Sequence, residues 1–233
     1  MVDQLTAADE SPDLIIEELS KAYQRSVLNG ASASFPSGHV VAILGENGSG
    51  KTTLFKCMLG LESFSGSVRF GGAMSGRSLA GGDIFGVFDE STMYPTWTVA
   101  KNIEYQLNDG TAASSPTVRS LLPKDLLVAR AGRLSAGQTR LVLIAIAVAS
   151  SAKVLLLDEF SNGLDRSTRA RVRGALESVV DSGRTVIASG HDLAVFEGFA
   201  DRLYILKDGV LHDGTAHYER TASLEETYDS FHE

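Results

Sequence analysis

An α/β fold with a mixed, mainly parallel sheet is the class this sequence predicts, and three observations predict it. Apolar runs of strand length alternate with helix-period segments along most of the 233 residues. One such run, HVVAILG (His39–Gly45), leads through the glycine-rich GENGSGKT (Gly45–Thr52) into the helical TTLFKCMLG (Thr52–Gly60). Another, VLLLDEF (Val154–Phe160), is a buried-type strand that ends in two adjacent carboxylates.

Taken in order, residues 1–12 are polar, Leu14–Leu19 reads as a strand, a turn falls around Tyr23, and a second strand lies near Val27–Phe35. These form an N-terminal antiparallel β region. Pro36–Ser37–Gly38 is a turn signal, and His39–Leu44 is the strand that feeds the glycine-rich loop. A helix is expected from Lys51 to Gly60, then short strands at Gly66–Phe70 and Ile84–Phe88. From Thr98 the pattern turns helical. Val99–Leu107 and Val118–Ala131 read as helices around the polar break DGTAASSP, and Ala136–Ser150 as a longer one. This block, about 98–150, interrupts the alternation as an inserted α-helical subdomain within one domain spanning 1–233. The alternation then resumes with a strand at Val154–Leu157, a helix at Arg166–Asp181 and a strand at Thr185–Ala188. A helix at Leu193–Phe199, a strand at Leu203–Leu206 and an amphipathic helix at Ser223–Phe231 complete the expectation.

GENGSGKT fits G-x-x-x-x-G-K-[ST] at every specified position. Across Gly45, Glu46, Asn47, Gly48, Ser49 and Gly50 the glycines let the backbone turn tightly, so that successive N–H groups point at one anion. Lys51 adds a mobile cation for the outer phosphates. Thr52 and Thr53 open a helix whose positive dipole end faces the same anion, and the Thr52 hydroxyl suits a magnesium ion. The chain is thus expected to be a P-loop nucleoside triphosphatase. Asp158 supplies the second Mg2+ anchor that such a loop needs, and Glu159 can polarise a water for in-line attack on the γ-phosphate.

Composition narrows the partners. A formal net charge of −8 with no basic run argues against nucleic acid. The five histidines and the lone Cys57 have no metal-ligand spacing, and one cysteine fits a reducing cytosol. The acidic MVDQLTAADESPD start lacks the basic-then-apolar pattern of a secretion signal. Leu141–Leu157 is mostly apolar but is interrupted by Ser150, Ser151 and Lys153. A bilayer needs roughly 20 apolar residues, so a buried helix, a turn and a buried strand are expected there instead.

A third motif, LSAGQ (Leu134–Gln138), decides the family. Together with GENGSGKT, VLLLDE, SNGLD (Ser161–Asp165) and the His191 of ASGHD, in that order, it resembles the nucleotide-binding domain of ABC ATPases, from about Leu14 to Leu211. The resemblance implies ATP and Mg2+ as ligands and ATP hydrolysis as the activity. It also implies a head-to-tail dimer with a second ATPase subunit and coupling to a transmembrane permease at the cytoplasmic face of the membrane. By position, Ser135, Gly137 and Gln138 match the motif that caps the γ-phosphate of ATP held by the second subunit. Asp165 matches the loop that crosses the dimer, His191 the switch histidine, and Tyr23 the aromatic that stacks on adenine. Two departures stand out. Where the family places a metal-associated Gln after the strand IFGVF, this chain has Asp89–Glu90; by spacing to Pro95 Asp89 is the equivalent, and Glu90, with its longer arm, is the competitor. Ala136 replaces one of the signature glycines.

In STMYPTWTV the residues Met93, Tyr94 and Trp97 fall where the family receives a helix of its permease; the alternative is that they pack the helical block onto the sheet. Export is the favoured direction, from the short chain, the lack of a C-terminal regulatory domain and the acids at the glutamine position. An importer subunit and a soluble ABC ATPase of iron–sulfur cluster assembly are the alternatives.

Overall fold

The computed structural model describes residues 13–71, 73–74, 82–88, 93–221 and 223–231. Strands β1 (Leu14–Ala22), β2 (Ser26–Phe35), β4 (Ser65–Phe70) and β5 (Ala73–Met74) form an antiparallel sheet in the order β2-β1-β4-β5. Strands β3 (Val40–Leu44), β6 (Ile84–Val87), β7 (Val154–Leu157), β8 (Thr185–Gly190), β9 (Arg202–Lys207) and β10 (Val210–Asp213) form the second, in the order β10-β9-β3-β8-β7-β6. All its pairings are parallel except the β9–β10 hairpin. The helices are α1 (Lys51–Met58), α2 (Val99–Leu107), α3 (Pro116–Leu121), α4 (Lys124–Val128), α5 (Ala136–Ala149), α6 (Arg166–Asp181), α7 (Leu193–Phe196), α8 (Thr215–Thr221) and α9 (Leu224–Ser230).

Strands β3, β7 and β8 are buried at every position, which is why they read as unbroken apolar runs: a parallel strand covered on both faces has no wet side to record. Alternate residues face opposite ways. Ala42, Leu44, Leu155, Leu157, Val186 and Ala188 pack with the apolar α5 and with α6. Val41, Ile43, Leu156, Ile187 and Leu206 pack with α1 and the antiparallel sheet. Register does the rest. Leu44 lies opposite Gly190 and Leu157 opposite Ala188, so Gly45, Asp158 and His191 all leave the sheet at its carboxyl edge.

The elements differ from expectation in several places. Val118–Ala131 is not one helix: Leu122 is extended (φ −108°, ψ 122°), as a residue before proline tends to be, and Pro123 parts α3 from α4. A 3-10 turn at Ala131–Arg133 follows. The helix expected at Leu193–Phe199 stops at Phe196, just before Gly198 with φ +60°. β10 and α8 were not anticipated, although Asp208–Gly209 (φ 51° and 78°) is a hairpin turn with both central residues at positive φ. Residues 1–12 and the Asp89–Glu90 pair, with its proposed metal contact, lie outside the described residues.

Candidate active site

The phosphate loop leaves β3 and turns into α1 through Gly48 (φ 84°) and Gly50 (φ 108°), conformations that suit glycine. Gly45 is required for space: a Cβ there would meet the Leu206 carbonyl at 2.6 Å and Ser49 Oγ at 2.8 Å. Lys51, only 5% exposed, folds over the loop and donates to the carbonyls of Gly45 (2.7 Å) and Glu46 (3.0 Å). Its ammonium also pairs with Glu159 at 3.3 Å.

Strand β7 delivers the carboxylates. Asp158 accepts from the Thr52 hydroxyl on Oδ2 and from the Ser189 hydroxyl on Oδ1, both at 2.6 Å. Glu159 sits in the left-handed region (φ 47°), unusual for a residue with a side chain. Its carboxylate accepts from the Nδ1–H of His191 at 2.9 Å. Lys51, Thr52, Asp158, Glu159 and His191 therefore form one connected cluster across β3, β7 and β8.

The cluster fits the ligands the sequence implies. Ser49 Oγ is buried and has no hydrogen-bond partner, an orphan that a phosphate oxygen would satisfy. Thr52 and Asp158 present two hard oxygen donors side by side, which suits Mg2+, an ion that keeps several waters and takes the remainder from phosphates. Among the described residues no group of three or more His, Cys, Asp or Glu gathers as a metal site. Beside the loop lies a cavity of about 500 Å3, lined by Arg25, Val27, Glu46, Ser49, Lys207 and Gly209 among others. Its size suits a nucleoside. Tyr23 stands outside that lining, 54% exposed, with the Lys21 ammonium 4.7 Å from its ring centre. Thr53 follows Thr52 on the first turn of α1.

A second group of expected residues lies elsewhere. Ser135 caps α5: its hydroxyl accepts from Gln138 N (3.2 Å), and the Gln138 side-chain carbonyl accepts from Ser135 N (3.0 Å), a reciprocal capping box. Gly137 presses against the SNGLD turn so closely that a Cβ would lie 2.1 Å from the Gly163 carbonyl. Asp165 caps α6, accepting from Thr168 N (2.9 Å), Thr168 Oγ1 (2.9 Å) and Ser167 Oγ (2.7 Å). Those donors, the Ser167 hydroxyl first, hold its carboxyl well below the ordinary range. These contacts join the starts of α5 and α6 to each other and to their own turns, and none of them reaches the phosphate loop.

Two site residues were not anticipated. Ser189, 1% exposed, touches Asp158 as above and also accepts from Glu159 N at 3.0 Å. Arg140, 4% exposed, donates from Nη1 to the Asp158 carbonyl at 2.6 Å. Burial pulls the Arg140 guanidinium below its usual pKa, while the charges of Asp158 and Glu159 act in the opposite direction. The available signal for Arg140 was a single charge on the otherwise uncharged α5.

On the helical block, Met93 is buried, but Tyr94 stacks on Trp97 (4.4 Å between centroids) and both meet Tyr105 edge-on. Tyr94 and Tyr105 are exposed, and the Lys101 ammonium lies 4.2 Å from the Trp97 ring centre. No helix among the described residues is long and apolar enough to cross a membrane.

Comparison with known proteins points the same way. The family model described as "ABC transporter" matches residues 28–162. The lantibiotic transport ATP-binding protein SrtF of Streptococcus pyogenes is 31% identical over 93% of this chain and 96% of its own length. The aliphatic sulfonates import ATP-binding protein SsuB 1 of Paracoccus denitrificans is 31% identical over 86% of this chain and 82% of its own. The SkfA peptide export ATP-binding protein SkfE of Bacillus subtilis is 30% identical over 84% and 86%. A solved ATP-binding subunit of an ABC transporter superposes with a TM-score of 0.83 at 22% identity, over 94% of this chain and 99% of that one.

Proposed function

The chain belongs to the ABC transporter ATP-binding family, and from that premise we propose that it is the ATP-hydrolysing subunit that powers a separate membrane permease. The observation that carries the reading is the connected cluster of Lys51, Thr52, Asp158, Glu159 and His191 around a phosphate loop with an orphaned buried hydroxyl.

In this reading the loop N–H groups from Gly45 to Thr53 and the Lys51 ammonium bind the β- and γ-phosphates of ATP. Thr52 and Asp158 hold Mg2+, which when bound neutralises charge on the phosphate oxygens. Glu159 accepts the proton of the attacking water. His191 orients that carboxylate through Nδ1 and turns its other ring nitrogen to the γ-phosphate. Lys51 exchanges its pairing with Glu159 for the phosphate, which frees the base when substrate is present. Tyr23 stacks on adenine.

Ser135, Gly137, Gln138 and Asp165 serve a second ATPase subunit, either another copy or a related chain. Their helix N-terminus carries partial positive charge and meets the γ-phosphate of the ATP that the other subunit holds. The Tyr94–Trp97–Tyr105 surface is the permease contact, since aromatic side chains anchor such interfaces. Through that contact the chain sits at the cytoplasmic face of the membrane. Relatives work in both directions. Export is the direction we favour, supported by SkfE, whose name specifies peptide export, while SsuB supports the alternative of import.

The test is to tag the chain in its native host, extract membranes in mild detergent and identify what co-purifies. A stoichiometric multi-span membrane protein is the expected result. A soluble partner, with no chain in the membrane fraction, would overturn the transport role and leave the ATP chemistry standing.

A further inference from the structure

The peptide bond between Asp158 and Glu159 is held at both ends. Its carbonyl oxygen accepts from Arg140 Nη1 at 2.6 Å, and its N–H donates to Ser189 Oγ at 3.0 Å. Both partners are almost fully buried, so neither bond competes with bulk water. The plane of that peptide sets the φ of Glu159, and that φ is +47°, a conformation L-residues avoid unless their surroundings impose it. We propose that Arg140 and Ser189 are positioning residues for hydrolysis: together they clamp the Asp158–Glu159 peptide and so aim the Glu159 carboxylate.

The elements that carry the two groups explain why this clamp is stiff. Arg140 projects from the apolar α5 and Ser189 from the fully buried β8, so neither rides on a loop. Ser189 also donates to Asp158 Oδ1, which ties the same peptide to the carboxylate beside Thr52. A misplacement of about 1 Å at a reacting group can lower a rate by about a hundredfold, so a clamp of this kind is expected to show in turnover rather than in substrate affinity.

The inference rests on Glu159 as the base, and the experiment separates the two ideas. Steady-state ATP hydrolysis, binding of a fluorescent ATP analogue and thermal melting are measured for Arg140→Lys, Ser189→Ala and Ser189→Thr. Arg140→Lys is also made in the Glu159→Gln background. Arg140→Lys and Ser189→Ala are expected to lower kcat by about tenfold or more while leaving KM and analogue affinity within about twofold. Ser189→Thr, which keeps the hydroxyl, should recover most of that loss. In the Glu159→Gln background Arg140→Lys should cause no further loss, because the group it aims is already disabled. A crystal structure of Arg140→Lys should show Glu159 leaving the left-handed region. Wild-type kcat in folded Arg140→Lys and Ser189→Ala overturns the clamp, and so does an equal loss with and without Glu159. If Arg140→Lys does not fold, the pair Ser189→Ala and Ser189→Thr decides the matter. Full activity in Glu159→Gln alone overturns the base assignment instead.

Discussion

Around the phosphate loop, charged side chains are met inside the chain: Lys51 pairs with Glu159, and Asp158 takes two hydroxyl donors. Around Ser135–Gln138 the opposite holds. The polar groups there close a neutral capping box, and Gly137 packs on Gly163 with no room to spare. The first region is a self-contained charge centre on buried strands. The second is a rigid helix N-terminus that offers a dipole and contains no acid in its first turn. The contrast teaches how labour is divided in the proposed reading. Chemistry belongs to one region of the chain, and the other region presents a surface that acts only on a phosphate brought by another subunit.

Substitutions in the two regions should therefore fail in different ways. The largest effect belongs to Glu159→Gln: ATP turnover falls by about a hundredfold or more, while nucleotide binding persists, as read by phosphate release beside analogue titration. Lys51→Ala comes next and fails at the other step. Losing a charge-assisted contact to phosphate should weaken ATP binding by about tenfold to a hundredfold in the same titration. Gly137→Ala breaks the second region instead. A Cβ 2.1 Å from the Gly163 carbonyl must displace that turn, at about 1–3 kcal/mol of stability, seen as a lowered Tm with the ATP affinity of the single chain retained. Equal damage to ATP affinity would erase the distinction between the two regions.

The smallest effect concerns pH. The Ser167 and Thr168 donors depress the Asp165 carboxyl, so its folded pKa lies below the ordinary 3.8. A depressed acid stabilises the fold above the unfolded value and loses that contribution as pH falls through it. The gap in Tm between wild type and Asp165→Asn should thus be present at pH 7 and shrink below about pH 4. A gap that widens in acid would contradict the geometry.

Much of this was legible in contiguous residues. β3, β7 and β8 announced themselves because burial on both faces leaves an unbroken apolar run. GENGSGKT and VLLLDE are local motifs whose chemistry needs neighbouring residues, so they survive reading in one dimension. The clamp was not legible: Ser189 is 31 residues from Asp158 and Arg140 is 18 residues away, and only the sheet order and the packing of α5 bring them together. Other failures were avoidable. Asp208–Gly209 is a strong hairpin signal that should have given β10, and the leucine pair before Pro123 should have broken the helix expected at Val118–Ala131. The aromatic group was half read. Met93 turned into the core as packing, while Tyr94 and Trp97 were joined on the surface by Tyr105, a full helix away in sequence.

The most direct test of the two-region account is the mass of Glu159→Gln in solution, by sedimentation with saturating ATP and Mg2+. The account predicts a nucleotide-dependent shift from the 24.8 kDa chain to twice that mass, reversed when Ser135→Arg is added to the second region. A species that stays at the mass of one chain at every protein and ATP concentration, while still binding ATP, would contradict it.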